Sequence, residues 1–233
     1  MRTYSPQSVD VQGMFGSIAK RYDLANRVLS LGIDRYWRWR MLRHLELPES
    51  EQVLDLCTGT GDLLFALRKR VSYAGVVGVD FCYPMLEQAR LRFDSEDERF
   101  LAQGDALQLP FADQQFDAVT VAFGVRNFNN LEAGLSEILR VLRRGGQLLV
   151  LEFGRPKLPV FAQVFRCYST FLMPRIGEFL TGNRAAYEYL PDTAEHFPCG
   201  EEFAAVLRRT GFEVKKIEML TLGIAFMYVA IGR

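Results

Sequence analysis

The sequence predicts an α/β fold: a mostly parallel β-sheet with helices on both faces and an antiparallel hairpin at the C-terminus. Two observations predict it. From residue 52 onward, short apolar runs typical of buried strands alternate with segments of helical spacing, which is the pattern of βαβ units. Near the C-terminus this alternation stops, and two strand-like runs joined by Thr221-Leu222-Gly223-Ile224 follow one another, as in a hairpin.

The individual elements follow in chain order. Residues 8–45 carry apolar and aromatic side chains at three-to-four spacing and predict helices interrupted near Gly32. The strands predicted for the parallel sheet are 52–57, 75–80, 99–103, 116–122 and 146–152. The helices predicted between them are 61–71, 84–93 and 131–143. A short helix over 200–211 then precedes the hairpin strands 212–220 and 225–233.

Composition limits the functional classes. With 49% hydrophobic residues the chain can bury a sizeable core, and equal numbers of Lys+Arg and Asp+Glu (28 each) disfavour a nucleic-acid partner. The four cysteines form no CxxC pair, and the two histidines lack metal-ligand spacing, so we expect reduced thiols and no metal site. Neither a signal peptide nor an 18-residue apolar run is evident, which indicates a cytoplasmic protein.

The stretch VLDLCTGTGDLLFAL, residues 53–67, places a glycine loop between the first strand and the first core helix. Ligands of open parallel sheets bind at such strand ends. No Lys follows Gly61, which excludes a P-loop, and Leu64 stands where a dinucleotide site needs Gly or Ala. Asp62 is also a poor neighbour for a pyrophosphate. The remaining ligand, S-adenosylmethionine, carries cationic sulfonium and ammonium groups that nearby carboxylates favour.

Three motifs, each with an acidic residue, stand at the ends of three successive predicted strands: DLCTGTG (55–61), Asp80 and Gly104-Asp105. Asp80 closes the second strand and is placed to bind the two ribose hydroxyls, and Asp105 follows the third and can accept from the adenine amino group. The carboxyl ends of parallel strands meet at one edge of a sheet, so these groups should face one ligand. The predicted cofactor-binding residues are Asp55, Gly59, Thr60, Gly61, Asp80, Asp105 and Ala106.

These motifs, together with VGVDFCYPMLEQAR (77–90) and GDALQLPF (104–111), resemble those of class I S-adenosylmethionine-dependent methyltransferases, which have a Rossmann-like sheet. Longer stretches resemble the ubiquinone/menaquinone biosynthesis C-methyltransferases (UbiE/MenG type). They run from YDLANRVLSLGIDRYWR (22–38) through FGVRNFNN (123–130) and RVLRRGGQLLVLEFGRP (140–156) to YEYLPDTAEHFP (187–198). The resemblance covers the chain from about residue 10 to its end.

The resemblance implies methyl transfer from S-adenosylmethionine to a ring carbon of a prenylated hydroquinone, with no metal. The acceptor it favours is demethylmenaquinol or demethylphylloquinol, and the benzoquinol of ubiquinone synthesis or another small phenolic or lipid acceptor stays an alternative. It also implies Arg126, Asn127 and Tyr22 as the catalytic candidates. Arg126 would stabilise the phenolate or order a water, because a protonated guanidinium is a poor base.

The resemblance also implies roles for four parts of a single domain. Residues 1–48 are a helical region facing substrate and membrane, 49–153 the cofactor-binding core, 154–199 a helical lid insertion, and 200–233 the C-terminal helix and hairpin. The expected partners are a prenylated quinol, a transient membrane-surface contact at the inner face, and a second copy in a homodimer, with no nucleic acid. The basic residues of 20–43 and the aromatic segment 160–180 suit such a docking face.

Two readings from other classes remain open on the residues alone. A non-catalytic subunit that only binds S-adenosylmethionine would keep Gly59, Gly61, Asp80 and Asp105 without turnover. A nicotinamide oxidoreductase is disfavoured by Leu64 and is distinguished by which cofactor protects the protein from heat.

Overall fold

The computed structural model describes residues 10–47, 52–70, 75–92 and 100–233. In this part of the chain the strands are β1 (Val53–Leu56), β2 (Val76–Asp80), β3 (Leu101–Gln103), β4 (Phe116–Ala122), β5 (Leu142–Phe153), β6 (Phe212–Leu220) and β7 (Ala225–Gly232). They form one seven-stranded sheet in the order β3-β2-β1-β4-β5-β7-β6. The first five strands run parallel, and β7 is antiparallel to both β5 and β6. The strand order reverses at β1 and β4, where open sheets bind ligands.

The α-helices of the same residues flank this sheet and cover its carboxyl edge. They are α1 (Val11–Ile18), α2 (Tyr22–Leu29), α3 (Ile33–Leu42), α4 (Asp62–Arg68), α5 (Tyr83–Arg90), α6 (Leu131–Val141), α7 (Pro159–Cys167), α8 (Met173–Thr181), α9 (Arg184–His196) and α10 (Glu201–Arg209). A π-helical turn, Tyr168–Leu172, joins α7 to α8. Short 3₁₀ turns lie at Ala19–Arg21, Val125–Asn127 and Thr221–Gly223.

The predicted fold class is confirmed, with a parallel sheet and a C-terminal antiparallel hairpin. The predicted interruption near Gly32 is present, since Leu31 and Gly32 both adopt positive φ (53° and 77°) between α2 and α3. Several boundaries differ by one to four positions. The largest difference is that β5 begins at Leu142 rather than 146, because Leu142 pairs with Phe116 before a register shift. Predictions for residues 8–9, 48–51, 71, 93 and 99 lie outside the described residues.

Alternation along the strands divides the core into two layers. Leu54 and Leu56 of β1 pack on one face with α6 and α10, whereas Val53 packs on the other with α3 and α4. Leu64 of α4 lies against β2 at Gly78, where an added Cβ would stand 2.7 Å from the Leu64 side chain. The close helix–strand packing that a small residue on the helix usually provides is thus supplied here by a glycine on the strand.

The N-terminal helices and the segment after β5 form a third cluster. Buried side chains of α1 and α2 pack against α8 and α9. Tyr168 Oη donates to the carbonyl of Leu29 (2.7 Å), and the Arg21 guanidinium donates to that of Leu180 (2.8 Å). Gln12 donates to the carbonyl of Phe81, one residue beyond β2, so this cluster lies over the carboxyl edge of the sheet. Among the described helices, none has the length and apolarity needed to cross a membrane.

Candidate active site

A cleft of about 250 Å³ opens at the carboxyl ends of β1, β2 and β4. Its floor is made by the residues that follow these strands, and α1 and Tyr22 of α2 close it from above. The predicted residues that line it are Tyr22, Gly59, Asp80, Asp105, Ala106 and Asn127. The topology therefore brings together side chains that lie up to 105 positions apart in the sequence.

Asp80 ends β2 with its carboxylate in the cleft and almost entirely buried. Oδ2 accepts from the N–H of Gly59, and Oδ1 accepts from the N–H of Cys82, both at 2.8 Å. Burial raises the pKa of Asp80 to about 6, although these backbone donors lower it. Each carboxylate oxygen has two acceptor positions, so both can also accept from the vicinal hydroxyls of a ribose.

Two glycines of the cleft floor differ in the space beside them. Gly59 has positive φ (57°), and a Cβ there would meet no atom within 4 Å, so the backbone borders open space. Gly124, beyond β4, has no such room: an added Cβ would stand 2.4 Å from Cys57 Cβ. Cys57 itself has φ of 58° and lines the cleft, so Gly124 and Cys57 determine the shape of the floor together.

Asp55, Thr60 and Gly61, all predicted to bind the cofactor, lie outside the residues lining the cleft and shape the loop. Asp55 accepts from the hydroxyls of Thr58 (2.7 Å) and Thr120 (2.8 Å), and burial raises its pKa to about 6. The Thr60 hydroxyl donates to Asp23 of α2 (2.5 Å). Gly61 has φ of 85° and begins α4. Their contact with a bound cofactor stays a prediction.

Asp62, interpreted from the sequence as a charge that repels pyrophosphate, is neutralised locally. Arg92 lies 2.7 Å from its carboxylate and also contacts Asp23 and the carbonyl of Thr60. This arginine ties α2 to the glycine loop, a contact between residues far apart in sequence.

The charge of the cleft is set by other residues. Among the described residues that line it, Asp10, Asp80 and Asp105 are acidic, and none is Lys, Arg or His. Asp105 is exposed, and its Oδ1 accepts from the N–H of Leu107. Three carboxylates without a lining cation attract a positively charged ligand and disfavour phosphates. Together with the open space at Gly59, this charge fits S-adenosylmethionine.

Arg126, predicted to be catalytic, lies behind the cleft wall in a 3₁₀ turn and is only 1% exposed. Its guanidinium pairs with the buried Glu152 of β5 (2.7 Å), and its backbone N–H also points to that carboxylate. It stacks over the ring of Phe153 at 5.2 Å. Burial is the largest single influence and lowers the pKa of Arg126, but the charge and hydrogen bond of Glu152, together with Tyr22 and Tyr189, raise it above its ordinary value, so Arg126 stays charged.

Tyr22 and Asn127, the other catalytic candidates, both line the cleft. Burial raises the pKa of the Tyr22 hydroxyl, more than the Asn26 hydrogen bond and the Arg126 charge lower it. Tyr22 therefore keeps its proton at neutral pH and can donate a hydrogen bond. Tyr189 of α9 donates to Asn127 Oδ1 (3.1 Å), which orients the side-chain NH₂ of Asn127 as a donor.

Several site residues were absent from the sequence prediction. In the sequence, Glu152 is a single polar residue in a predicted buried strand, and no local pattern indicates that it pairs with Arg126. Tyr189 comes from a helix more than 60 positions away from Asn127. The apolar cleft wall could have been anticipated, because each member lies at the end of a predicted strand or within six positions after it: Phe81, Cys82, Met85, Ala122, Phe123 and Phe128.

Comparison with known proteins agrees with this geometry. The model of the ubiE/COQ5 methyltransferase family matches residues 3–232. The chain belongs to this family. It is thereby an S-adenosylmethionine-dependent methyltransferase, and in the described residues no group of three or more His, Cys, Asp or Glu side chains could hold a metal.

Relatives and solved structures extend the comparison. The chain is 46% identical to a demethylmenaquinone methyltransferase of Deinococcus radiodurans, covering 94% of this chain and 91% of the relative. It is 39% identical to the ubiquinone/menaquinone biosynthesis C-methyltransferase UbiE of Bdellovibrio bacteriovorus, covering 98% of each. A solved S-adenosylmethionine-dependent methyltransferase of Thermotoga maritima shares the fold (TM-score 0.68, 18% identity, 95% of this chain and 99% of that one).

Proposed function

We propose that this ubiE/COQ5 family member transfers a methyl group from S-adenosylmethionine to a ring carbon of a prenylated hydroquinone, with demethylmenaquinol as the acceptor. The name of the Deinococcus relative, at 46% identity, supports the naphthoquinol. The Bdellovibrio relative, whose name includes ubiquinone synthesis, keeps the benzoquinol as the alternative acceptor. This proposal rests on the observation that Tyr22 and Asn127 line the same cleft as Asp80, so groups of the acceptor and of the cofactor would meet there.

Three residues hold the cofactor directly in this proposal. Asp80 accepts from the ribose hydroxyls, Asp105 accepts from the adenine amino group, and the backbone of Gly59 leaves the space that the ligand needs. Ala106 packs beside the adenine. Asp55, Thr60 and Gly61 keep the loop in shape. When bound, S-adenosylmethionine supplies an electrophilic methyl group.

The chain's own residues prepare the acceptor carbon. A ring carbon becomes nucleophilic when the neighbouring hydroxyl loses its proton, which passes to water in this proposal. Once this carbon has taken the methyl group and S-adenosylhomocysteine remains, its own hydrogen leaves as a second proton to water, and the ring becomes aromatic again. Protonated Tyr22 and the NH₂ of Asn127 donate hydrogen bonds to the ring oxygens. The buried positive charge of Arg126 lies behind them and stabilises the developing phenolate through a low-dielectric environment. Holding the ring carbon in line with the cofactor provides up to ~7–11 kcal/mol of the rate enhancement.

The four predicted parts of the domain keep their roles. The N-terminal helices and residues 154–199 close over the cleft as a lid that also contacts a membrane. Large apolar side chains are exposed on both parts and include Leu24, Leu31, Phe171, Leu172 and Phe179. Exposed basic side chains on the same helices, Lys20, Arg21, Arg35 and Arg175, match anionic lipid head groups.

Complementation tests the reaction. Strains that lack quinone C-methylation receive the gene, and mass spectrometry identifies the quinone that accumulates. Restored menaquinone alone supports the naphthoquinol, and restored ubiquinone shifts the acceptor to the benzoquinol. Cofactor binding without methylation of either demethylated quinol would instead indicate a non-catalytic binding protein.

Calorimetry tests the cofactor residues. We expect Asp80→Ala to weaken S-adenosylmethionine binding about 100-fold, because two hydrogen bonds to a charged group at ~1.5–3 kcal/mol each are lost in part. Asp113→Ala, an exposed loop carboxylate outside the cleft, serves as the matched control and should bind normally. Unchanged affinity in Asp80→Ala would rule out the ribose assignment.

Sedimentation with vesicles tests the membrane contact. The wild-type chain should sediment with phosphatidylglycerol vesicles, whereas the Phe179→Glu variant should stay in the supernatant. The side chain of Phe179 is 87% exposed. Leu91→Glu changes a side chain that is 79% exposed but lies outside both the N-terminal helices and residues 154–199, and this variant should sediment as the wild type does. Equal sedimentation of both variants would argue against this docking face.

A further inference from the structure

A second cavity, of about 500 Å³, lies between the end of β5, α7, the π-helical turn and α9. Its volume falls within the ~300–1,000 Å³ of small-molecule sites. The apolar side chains lining it are Phe153, Ala162, Phe165, Met173, Leu190 and Ile224. None of its lining residues is shared with the cofactor cleft.

The charged residues of this cavity pair with each other at its rim. The Arg166 guanidinium lies 3.2 Å from Glu195, and both side chains are more than half exposed. Arg155 pairs with Glu202 and also donates to the carbonyl of Glu195. An apolar interior below a neutralised rim suits an uncharged hydrocarbon better than an anionic or cationic ligand.

Two packed aromatic side chains, one from each lining, stand between this cavity and the cleft. Phe153 lines the cavity and Phe123 lines the cleft, and their ring centroids are 4.5 Å apart. On the α9 side, Leu190 lines the cavity, whereas the preceding Tyr189 donates to Asn127 in the cleft. The cavity therefore lies within the thickness of two side chains of a ring held by Tyr22 and Asn127.

The outer side of α7 connects the cavity to the surface. Several residues of this helix line the cavity, and no residue of it is buried. Its opposite side exposes Val160 (78%) and Val164 (62%). Beyond the paired charges of the rim, an apolar chain leaving the cavity past α7 thus meets further apolar surface.

We infer that this cavity holds the isoprenoid tail of the acceptor, so that the quinol ring reaches the cleft while the tail runs under α7 towards the lipid. The inference rests on the proposed function for its substrate class. It assigns the tail to a site separate from the cofactor and the ring, which makes tail recognition independent of the residues that act on the ring.

Ala194 of α9 lines the cavity and allows a direct test. Calorimetry of the full chain with farnesol should show binding that Ala194→Trp weakens at least tenfold, because the indole fills the cavity. Ala185→Trp, on the same helix but exposed and outside the cavity, is the matched control and should bind farnesol normally. If Ala194→Trp does not fold, Ala162→Trp fills the cavity from α7 instead. Equal farnesol affinity in the wild type and the filled variant would overturn the inference.

Kinetics separate this inference from the proposed function. In Ala194→Trp the KM for a prenylated demethylmenaquinol should rise about tenfold, whereas turnover of tail-less 1,4-naphthohydroquinone stays at the wild-type level. Equal losses on both substrates would overturn the tail site but leave the methyltransferase proposal standing. If the wild type methylates neither quinol while farnesol binding still depends on Ala194, the proposed acceptor fails and the isoprenoid site stands.

Discussion

Two buried carboxylates lie near the carboxyl ends of strands on opposite sides of the sheet's centre. They differ in the groups that bind them. Asp80 of β2 accepts from neutral backbone N–H groups, and its pKa is raised to about 6. Glu152 of β5 is paired with the guanidinium of Arg126. A carboxylate held by neutral donors keeps its charge available for a ligand, whereas one paired with a buried guanidinium holds that guanidinium in place. The β2 side thus offers a charge to the cofactor, and the β5 side fixes Arg126 behind the acceptor groups.

The largest expected effect is on the free energy of unfolding, when the buried ion pair on the β5 side is broken. Glu152→Gln leaves the charge of Arg126 buried without its counter-ion, and loss of one partner of a buried pair costs ~3–5 kcal/mol of unfolding free energy. Urea denaturation measures it. The control is Glu132→Gln, which removes an exposed pair with Arg209 and should cost less than ~1 kcal/mol. Equal urea midpoints for the two variants would contradict a structural role for the buried pair.

Stability and cofactor affinity should both depend on pH through Asp80 on the β2 side. The raised pKa of Asp80, about 6 against 3.8, means that the folded chain holds this proton more tightly than the unfolded chain. Stability from Asp80 therefore falls as pH rises from about 4 to 6, by up to ~1.4 kcal/mol per pH unit. Ligand binding has the opposite sign: as an ionised Asp80 is the better acceptor, cofactor affinity should fall as pH drops from 7 to 5.

Asp55 provides the control for this profile. Its pKa is also about 6, but both oxygens accept from threonine hydroxyls outside the cleft. Asp55→Asn should reduce the fall in stability between pH 4 and 6 and keep the wild-type pH profile of cofactor affinity. A cofactor affinity that is flat from pH 5 to 7 in the wild type would contradict the role of Asp80.

A smaller effect on stability is expected for Gly124 and Cys57, which lie in the cleft floor between the β2 side and the β5 side. Gly124→Ala forces a Cβ to 2.4 Å from Cys57, and such overpacking costs ~1–3 kcal/mol. Cys57→Gly removes that contact and relieves the positive φ of Cys57, so the double variant should recover most of the loss. Thermal unfolding of the four proteins gives the coupling. Additive changes of the unfolding temperature in the double variant would show that the two residues do not depend on each other in the cleft floor.

The smallest expected effect concerns the link between the lid and the cleft. Tyr189→Phe removes the hydrogen bond to Asn127 Oδ1, worth ~0.5–1.5 kcal/mol, and should lower kcat/KM by about two- to tenfold. Tyr36→Phe, an exposed tyrosine of α3, is the matched control. Cofactor affinity should change little in either variant. A kcat/KM equal to that of the wild type would place Tyr189 outside the positioning of Asn127.

The sequence by itself determined the fold class, the order of its elements and the strand ends at which Asp80, Asp105 and Gly59 lie. These features are local: apolar periodicity, turn glycines and the residue that follows each strand can be read within about 15 positions. Only the tertiary structure decided that Asp55 accepts from two threonine hydroxyls, that Arg126 pairs with Glu152, and that Tyr189 reaches Asn127. Those contacts depend on which distant elements meet and on how side chains orient in the packed core, and no local pattern encodes either.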